Sequence, residues 1–287
     1  MRATIVVPAT AANLGPGFDV FGLALEIVNE VTIDTDAEPG VAWSGEGEDD
    51  LPTDGTDLVS STIARIGRSM QSEVPPFALH GRHGVPVERG LGSSSAATVT
   101  GVVAASLLLG LGWERDPASV FAAAAEIEGH PDNAAPAVFG GFTIAMPDGY
   151  VRRMDPHPSV RPVVLVPPSP LATGEARAAL PDRIPMADAV FNVAHAALAV
   201  EAFTTDPSLL RRALRDRLHQ DARLEMAGVE PVAADLESAG LAWCVSGAGP
   251  TLLAFETDDH ALPEIDLAGW RVLRPGLRSG GFEVRDG

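Results

Sequence analysis

The segment Gly90-Leu91-Gly92-Ser93-Ser94-Ser95-Ala96-Ala97 is a glycine-rich turn that runs straight into a helix-forming stretch. Such a junction presents unpaired backbone N–H groups and the positive end of the helix dipole to an anion, and glycine lets the main chain approach a phosphate closely. Serine hydroxyls there add hard oxygen donors of the kind Mg²⁺ prefers. The same residues also read as a tight turn into a core helix. Glu126, on the next helical stretch, reads either as the carboxylate completing a cation site or as a surface acid.

Three further segments carry polar groups in conformationally special surroundings. In Pro8–Asp19 the amide of Asn13 and the carboxylate of Asp19 flank Gly15-Pro16-Gly17, a turn able to present both to a small amine or hydroxyl, or simply to be stabilised by them. His130-Pro131-Asp132-Asn133 lies between two helical stretches, and Asp132 or Asn133 also suits a helix cap. Ser246-Gly247-Ala248-Gly249-Pro250 joins two strand-like runs, where paired glycines permit a tight turn or a close backbone contact with a ligand.

The elements that must position these groups follow from periodicity. Arg2–Val7 and Glu26–Asp36 are β-branched and predict strands, with the Asn13 loop between them. Residues 37–57 are acidic and rich in Gly, Pro and Asp, which predicts an exposed excursion before a helix from about Leu58 to Met70. Ser93–Leu109 is small and apolar on nearly all sides, as a buried helix is. Asp116-Pro117 opens a helix that stops at Gly129, so Glu126 and Glu128 fall in its last turn, where carboxylates oppose the helix dipole. Phe142–Met146 and Tyr150–Met154 predict a hairpin, after which Arg161–Val166 begins a second half. That half predicts helices at Thr173–Leu180, Met186–Phe203, Pro207–Leu218 and Pro231–Ala239, and strands at Leu241–Val245, Thr251–Phe255 and Trp270–Leu273.

Bulk composition removes several classes of chemistry. Hydrophobic residues make up 46% and charged residues 21%, a globular balance with no room for long disordered tracts. A net charge of −19 repels nucleic acid and anionic membrane surfaces. All 20 basic residues are Arg, so a Walker A lysine, a protein-kinase strand lysine and a Schiff-base lysine are all excluded. One cysteine, Cys244, forms no intrachain disulfide, which favours a cytoplasmic home. The start of the sequence has no signal-peptide pattern, and no uncharged stretch reaches spanning length.

Taken in order, the four polar segments resemble the signature of the GHMP small-molecule kinases. The Ala-Asn-Leu-Gly-Pro-Gly-Phe-Asp run ending at Asp19 and the His-Pro-Asp-Asn segment resemble its homoserine kinase branch. The resemblance spans Pro8 to Thr251. It implies an α+β, two-domain fold: a ribosomal-protein-S5-like N-terminal domain over residues 1–155, with an uncommon left-handed βαβ crossover, and a ferredoxin-like C-terminal domain over residues 156–287. Transfer of the ATP γ-phosphoryl group to the side-chain hydroxyl of L-homoserine would be the reaction, with ATP and Mg²⁺ required. Another GHMP enzyme acting on a different small alcohol, or a silent sensor of the same fold, stands as the alternative.

Residue by residue, the resemblance places Arg89, Gly90, Leu91, Gly92, Ser93, Ser94 and Ser95 around ATP, with Ser94 and Glu126 on the metal. It gathers Asn13, Asp19, His130, Asp132 and Asn133 around homoserine, with Arg177 and Arg223 for its carboxylate and Thr173 near its hydroxyl. Asn13, Asp132, Asn133 and Thr173 would be the catalytic set. An arginine pair suits a planar carboxylate because each fork can hold it with two parallel bonds. The expected partners are the small-molecule substrate and a second copy in a homodimer, with neither nucleic acid nor membrane.

Overall fold

In the computed structural model, which describes residues 1–171, 178, 180–181, 183–257 and 260–286, the chain builds two sheets. The first contains β1 (Arg2–Ala12), β2 (Phe21–Asp34), β3 (Gly40–Gly45), β4 (Ala78–His83), β5 (Phe142–Ala145), β6 (Val151–Met154) and β11 (Glu283–Asp286). Its main path runs β11-β1-β2-β4-β3, with β5 paired to the other end of β2 and to β6. The second sheet has order β10-β7-β9-β8, from β7 (Arg161–Val166), β8 (Ala242–Val245), β9 (Leu252–Glu256) and β10 (Arg271–Leu273). Every pair in it is antiparallel, and its internal order 4-1-3-2 is that of a split βαβ arrangement.

Helices cover one side of the first sheet: α1 (Leu58–Ser69), α2 (Ser93–Leu109), α3 (Pro117–Glu128) and α4 (Pro131–Phe139). The second half carries α5 (Met186–Thr204), the single turn α6 (Leu210–Ala213), α7 (Gln220–Ala227) and α8 (Glu230–Ser238). α2 is buried along most of its length, as its uniformly apolar composition requires. It packs so closely on α1 that a Cβ on Gly101 would lie 2.5 Å from Thr62. The halves share one core: Phe142 from β5 stacks on Phe203 from α5, which meets Phe255 of β9 edge-on.

Four stretches depart from the sequence reading: β3, β4, Pro207–Leu218 and β11. Inside the excursion at 37–57, Gly40–Gly45 forms β3, an exposed strand paired in parallel with β4, and β4 itself carries no alternation strong enough to predict. Pro207–Leu218 is not one helix, because the chain turns after Ala213 and the Asp216 carboxylate takes the N–H groups of Leu218, His219 and Gln220 to start α7. β11 returns from the chain end to pair with β1, so the first sheet includes residues from both halves of the sequence. α5 is long and apolar enough by composition to cross a membrane; in this fold Asn192, Ala199, Ala202 and Phe203 point inward and Met186, Val190 and Val193 outward.

Candidate active site

The four polar segments converge on one cleft of about 600 Å³, a volume suited to a small ligand. Its floor is the N-terminus of α2. Gly90 and Gly92 both take left-handed backbone, φ 70 and 67, and Gly92 caps the helix without a side-chain acceptor. The first main-chain bond of the helix is Ala96 N–H to Gly92 carbonyl, so the N–H groups of Ser93, Ser94 and Ser95 face outward as a ready anion site.

Glycine is required here by contact as well as by torsion. A Cβ on Gly90 would sit 2.3 Å from the Ser246 carbonyl, and one on Gly92 would sit 1.9 Å from Thr10 Oγ1. The Ser246–Pro250 turn thus packs directly on the Gly90–Ser95 loop, and Ser246 Oγ donates to the Gly90 carbonyl at 2.7 Å. Leu91 departs from the expected ATP set: its side chain is fully buried in the shared core, while its carbonyl receives the Thr10 N–H. Arg89 lines the cleft and donates to the Pro168 carbonyl at 3.0 Å, bridging to the second half.

The carboxylate beside the loop is Glu128, and this corrects the assignment to Glu126. Ser94 Oγ and Thr98 Oγ1 donate to Glu128 Oε2 and Ser95 Oγ donates to Oε1, each at 3.0 Å. Glu126 is exposed and does not line the cleft. The reason is helical: Val120, Ala124 and Glu128 lie four residues apart on the face packed toward α2, and a residue two positions away points about 200° around the axis. Three hydroxyls on one carboxylate give an all-oxygen donor set that fits Mg²⁺, which takes one or two protein ligands together with phosphate and water.

At the other end of the cleft Asn13 and Asp19 both have left-handed backbone, φ 69 and 57. Asn13 is held at both ends of its amide: Nδ2 donates to the Gly247 carbonyl at 2.7 Å, and Oδ1 accepts the Asp19 N–H at 2.9 Å. His130, Asp132 and Asn133 begin α4 on the opposite wall. Thr10 Oγ1 donates to Asn133 Oδ1 at 2.8 Å, tying that wall to β1. Burial pushes the Asp132 carboxyl up to about 6, nearby Asp19 adds to the rise, and His130 opposes it.

Arg223, on α7, is buried against the same cleft; its Nη1 donates to the Gly247 carbonyl at 2.5 Å, and its guanidinium carbon lies 5.4 Å from the Phe18 ring centroid. Thr173 and Arg177 lie outside the described residues. The sequence reading missed His219, whose ring sits 5.2 Å from Phe18 and contacts both Arg223 and Gly15. Burial holds His219 down to about 4 although Asp216 favours its charged form. Also unread were Trp43, Leu51 and Val87, which form an apolar end of the cleft beside Val59, where the Trp43 and His83 rings lie 4.8 Å apart. Cys244 is fully buried, and that burial pushes its thiol up, which leaves it inert.

A glycine-capped helix start with outward N–H groups, a carboxylate beside it and an amide-and-acid pocket in the same cleft are an arrangement suited to a small-molecule kinase. In agreement, the family described as GHMP kinases N terminal domain matches residues 57–141. The chain is 43% identical to the homoserine kinase of Clavibacter michiganensis subsp. michiganensis, covering 96% of this chain and 89% of that one. It is 44% identical to the homoserine kinase of Leifsonia xyli subsp. xyli, covering 88% and 80%. The crystal structure of homoserine kinase from Cytophaga hutchinsonii superposes with a TM-score of 0.82 at 26% identity, over 99% of this chain and 97% of that one. The chain belongs to the homoserine kinase family.

Proposed function

We propose that the chain transfers the γ-phosphoryl group of ATP to the side-chain hydroxyl of L-homoserine, giving O-phospho-L-homoserine and ADP on the route to threonine. The observation that carries this reading is the convergence of the Ser93–Ser95 helix start and Glu128 with Asn13, Asp19, Asp132 and Asn133 in one cleft. Residues 1–155 hold the nucleotide in this reading, and residues 156–287 close the cleft from the other side with Arg223.

In this reading the N–H groups of Ser93–Ser95 receive the β- and γ-phosphates, and Trp43 with Leu51 and Val87 covers the base. Ser94 and Glu128 would hold Mg²⁺, which when bound neutralises phosphoryl charge. The buried Asp132 and neighbouring Asp19 form a strongly anionic corner, which the ammonium group of homoserine satisfies. Asn13 and Asn133 orient the hydroxyl, Arg223 takes the carboxylate, and Thr173 and Arg177 complete the pocket. A loose phosphoryl-transfer transition state asks little deprotonation of its nucleophile, so attack proceeds by positioning, without a lysine or another strong base. A cytoplasmic location belongs to the same reading.

The test is ADP release by the purified chain with Mg-ATP and L-homoserine, run beside mevalonate, L-serine and no acceptor. Homoserine-dependent turnover abolished by EDTA supports the reading. Equal turnover without acceptor, or nucleotide binding with no turnover, moves the chain to the sensor alternative. A homodimer is a second reading, favoured by the exposed apolar stripe of Met186, Val190 and Val193 on α5; a monomer mass in sedimentation velocity removes it.

A further inference from the structure

His219 is buried, and both ring nitrogens are engaged; Asp216 Oδ2 also lies 3.8 Å from Nε2, beyond hydrogen-bond distance. Nδ1 lies 3.0 Å from Arg223 Nη1, and Nε2 lies 2.7 Å from the Gly15 carbonyl. Arginine can only donate, so Nδ1 is the acceptor and Nε2 carries the proton that is donated to Gly15. Both contacts are satisfied only by the neutral ring in this tautomer. The main chain carrying the ring is fixed from behind: Asp216 accepts the His219 backbone N–H at 2.7 Å and also accepts from Asn192 Nδ2 at 2.6 Å.

Gly15 lies midway along the Asn13–Asp19 loop, and a Cβ there would strike the Leu214 carbonyl at 2.4 Å, so the loop rests against the turn that leads to His219. Arg223 and Asn13 donate to the same Gly247 carbonyl. Arg223, His219, Gly15, Asn13 and Gly247 therefore close a ring of contacts, in which the Gly247 carbonyl and the His219 side chain each join the guanidinium to the loop.

We propose that His219 is a positioning residue for acceptor recognition: it aims the Arg223 guanidinium at the acceptor carboxylate and holds the Asn13–Asp19 loop in register with it. This rests on the reading that Arg223 binds the substrate carboxylate. A purely structural histidine would affect all acceptors and ATP alike, whereas the Nδ1 contact to Arg223 acts only on acceptors that carry a carboxylate.

The experiment compares steady-state kinetics of His219→Gln, His219→Asn and Arg223→Ala with L-homoserine and with 3-amino-1-propanol, which lacks the carboxylate. Gln reaches the Nε2 position and keeps the donor to Gly15 but loses the acceptor for Arg223; Asn keeps an acceptor near Nδ1. His219→Gln should raise KM for homoserine about tenfold, and His219→Asn only about threefold, as expected for losing one hydrogen bond to a charged group. His219→Gln should leave KM for 3-amino-1-propanol and ATP within about twofold and add little in an Arg223→Ala background, whereas His219→Asn, which lacks the donor to Gly15, should raise KM for both acceptors by about the same threefold. Equal effects of His219→Gln on both acceptors, equal losses in the two His219 variants, or no rise in homoserine KM for His219→Gln while Arg223→Ala raises it, would each overturn the proposal. If Arg223→Ala itself leaves the homoserine KM unchanged, the carboxylate reading beneath the proposal has failed instead. Thermal melts accompany each variant, and a Gln variant that does not fold leaves the Asn variant and the acceptor comparison to decide.

Discussion

Ser95 Oγ donates to Glu128 Oε1 across 3.0 Å, joining the first turn of α2 to the last turn of α3. The bond places a carboxylate beside the anion-binding end of one helix by using the end of another, where its charge opposes the local dipole. A carboxylate held in an unfavourable position by three hydroxyl donors would suit a divalent cation, which Glu128 and Ser94 would hold.

Replacing Glu128 with Gln should lower kcat by about two orders of magnitude, the scale seen when a group stabilising transferring charge is lost. Glu126→Gln, on the opposite side of α3, should leave kcat unchanged. Parallel Mg²⁺ titrations of both variants check this, and equal losses would return the assignment to an open choice.

Gly90→Ala should be damaging twice over. Its Cβ would meet the Ser246 carbonyl at 2.3 Å, and φ 70 is costly for any residue with a side chain. The expected destabilisation is about 1–3 kcal/mol, with a larger KM for ATP. Thermal denaturation together with nucleotide titration measures both.

The Asp132 carboxyl is raised to about 6 in the fold, chiefly by burial. The folded chain thus binds this proton more tightly than the unfolded one, so stability falls as pH climbs from about 4 through 6 and the penalty is fully present above that. Asp132→Asn should gain about 1–2 kcal/mol at pH 7.5 and nothing near pH 3.5, read from urea melts. Turnover should behave oppositely: kcat/KM for homoserine should decline below pH 6 in the unchanged chain as the ammonium-facing charge is lost, and should be low at every pH in the variant.

Much of this site was legible in sequence because its parts are local. Gly90–Ser95 announces a loop feeding a helix, and Asn13–Asp19 announces a rigid turn carrying an amide and an acid. The choice between Glu126 and Glu128 needed the packed face of α3, and the signal was present: Val120, Ala124 and Glu128 share a four-residue spacing. β3 and β11 were hidden for a different reason. Gly40–Gly45 and Glu283–Asp286 are short and polar, and they are strands through pairing with distant segments. His219 gave no local sign, since its meaning lies in Gly15, 204 residues away.

Asn13→Ala should separate two roles of one side chain. Both ends of the amide hold main-chain groups, at Gly247 and Asp19, so its removal should cost about 1–3 kcal/mol of stability as well as homoserine affinity. Calorimetric melts and homoserine titration report the two losses independently. Unchanged turnover and affinity in a folded variant would remove Asn13 from the acceptor site.

The most direct test of the central claim is ³¹P NMR of a reaction containing the purified chain, Mg-ATP and L-homoserine. The account predicts one new phosphomonoester resonance matching O-phospho-L-homoserine, growing in step with ADP and absent for Glu128→Gln over the same time. ADP accompanied only by inorganic phosphate, or no change in the ATP resonances, would contradict it.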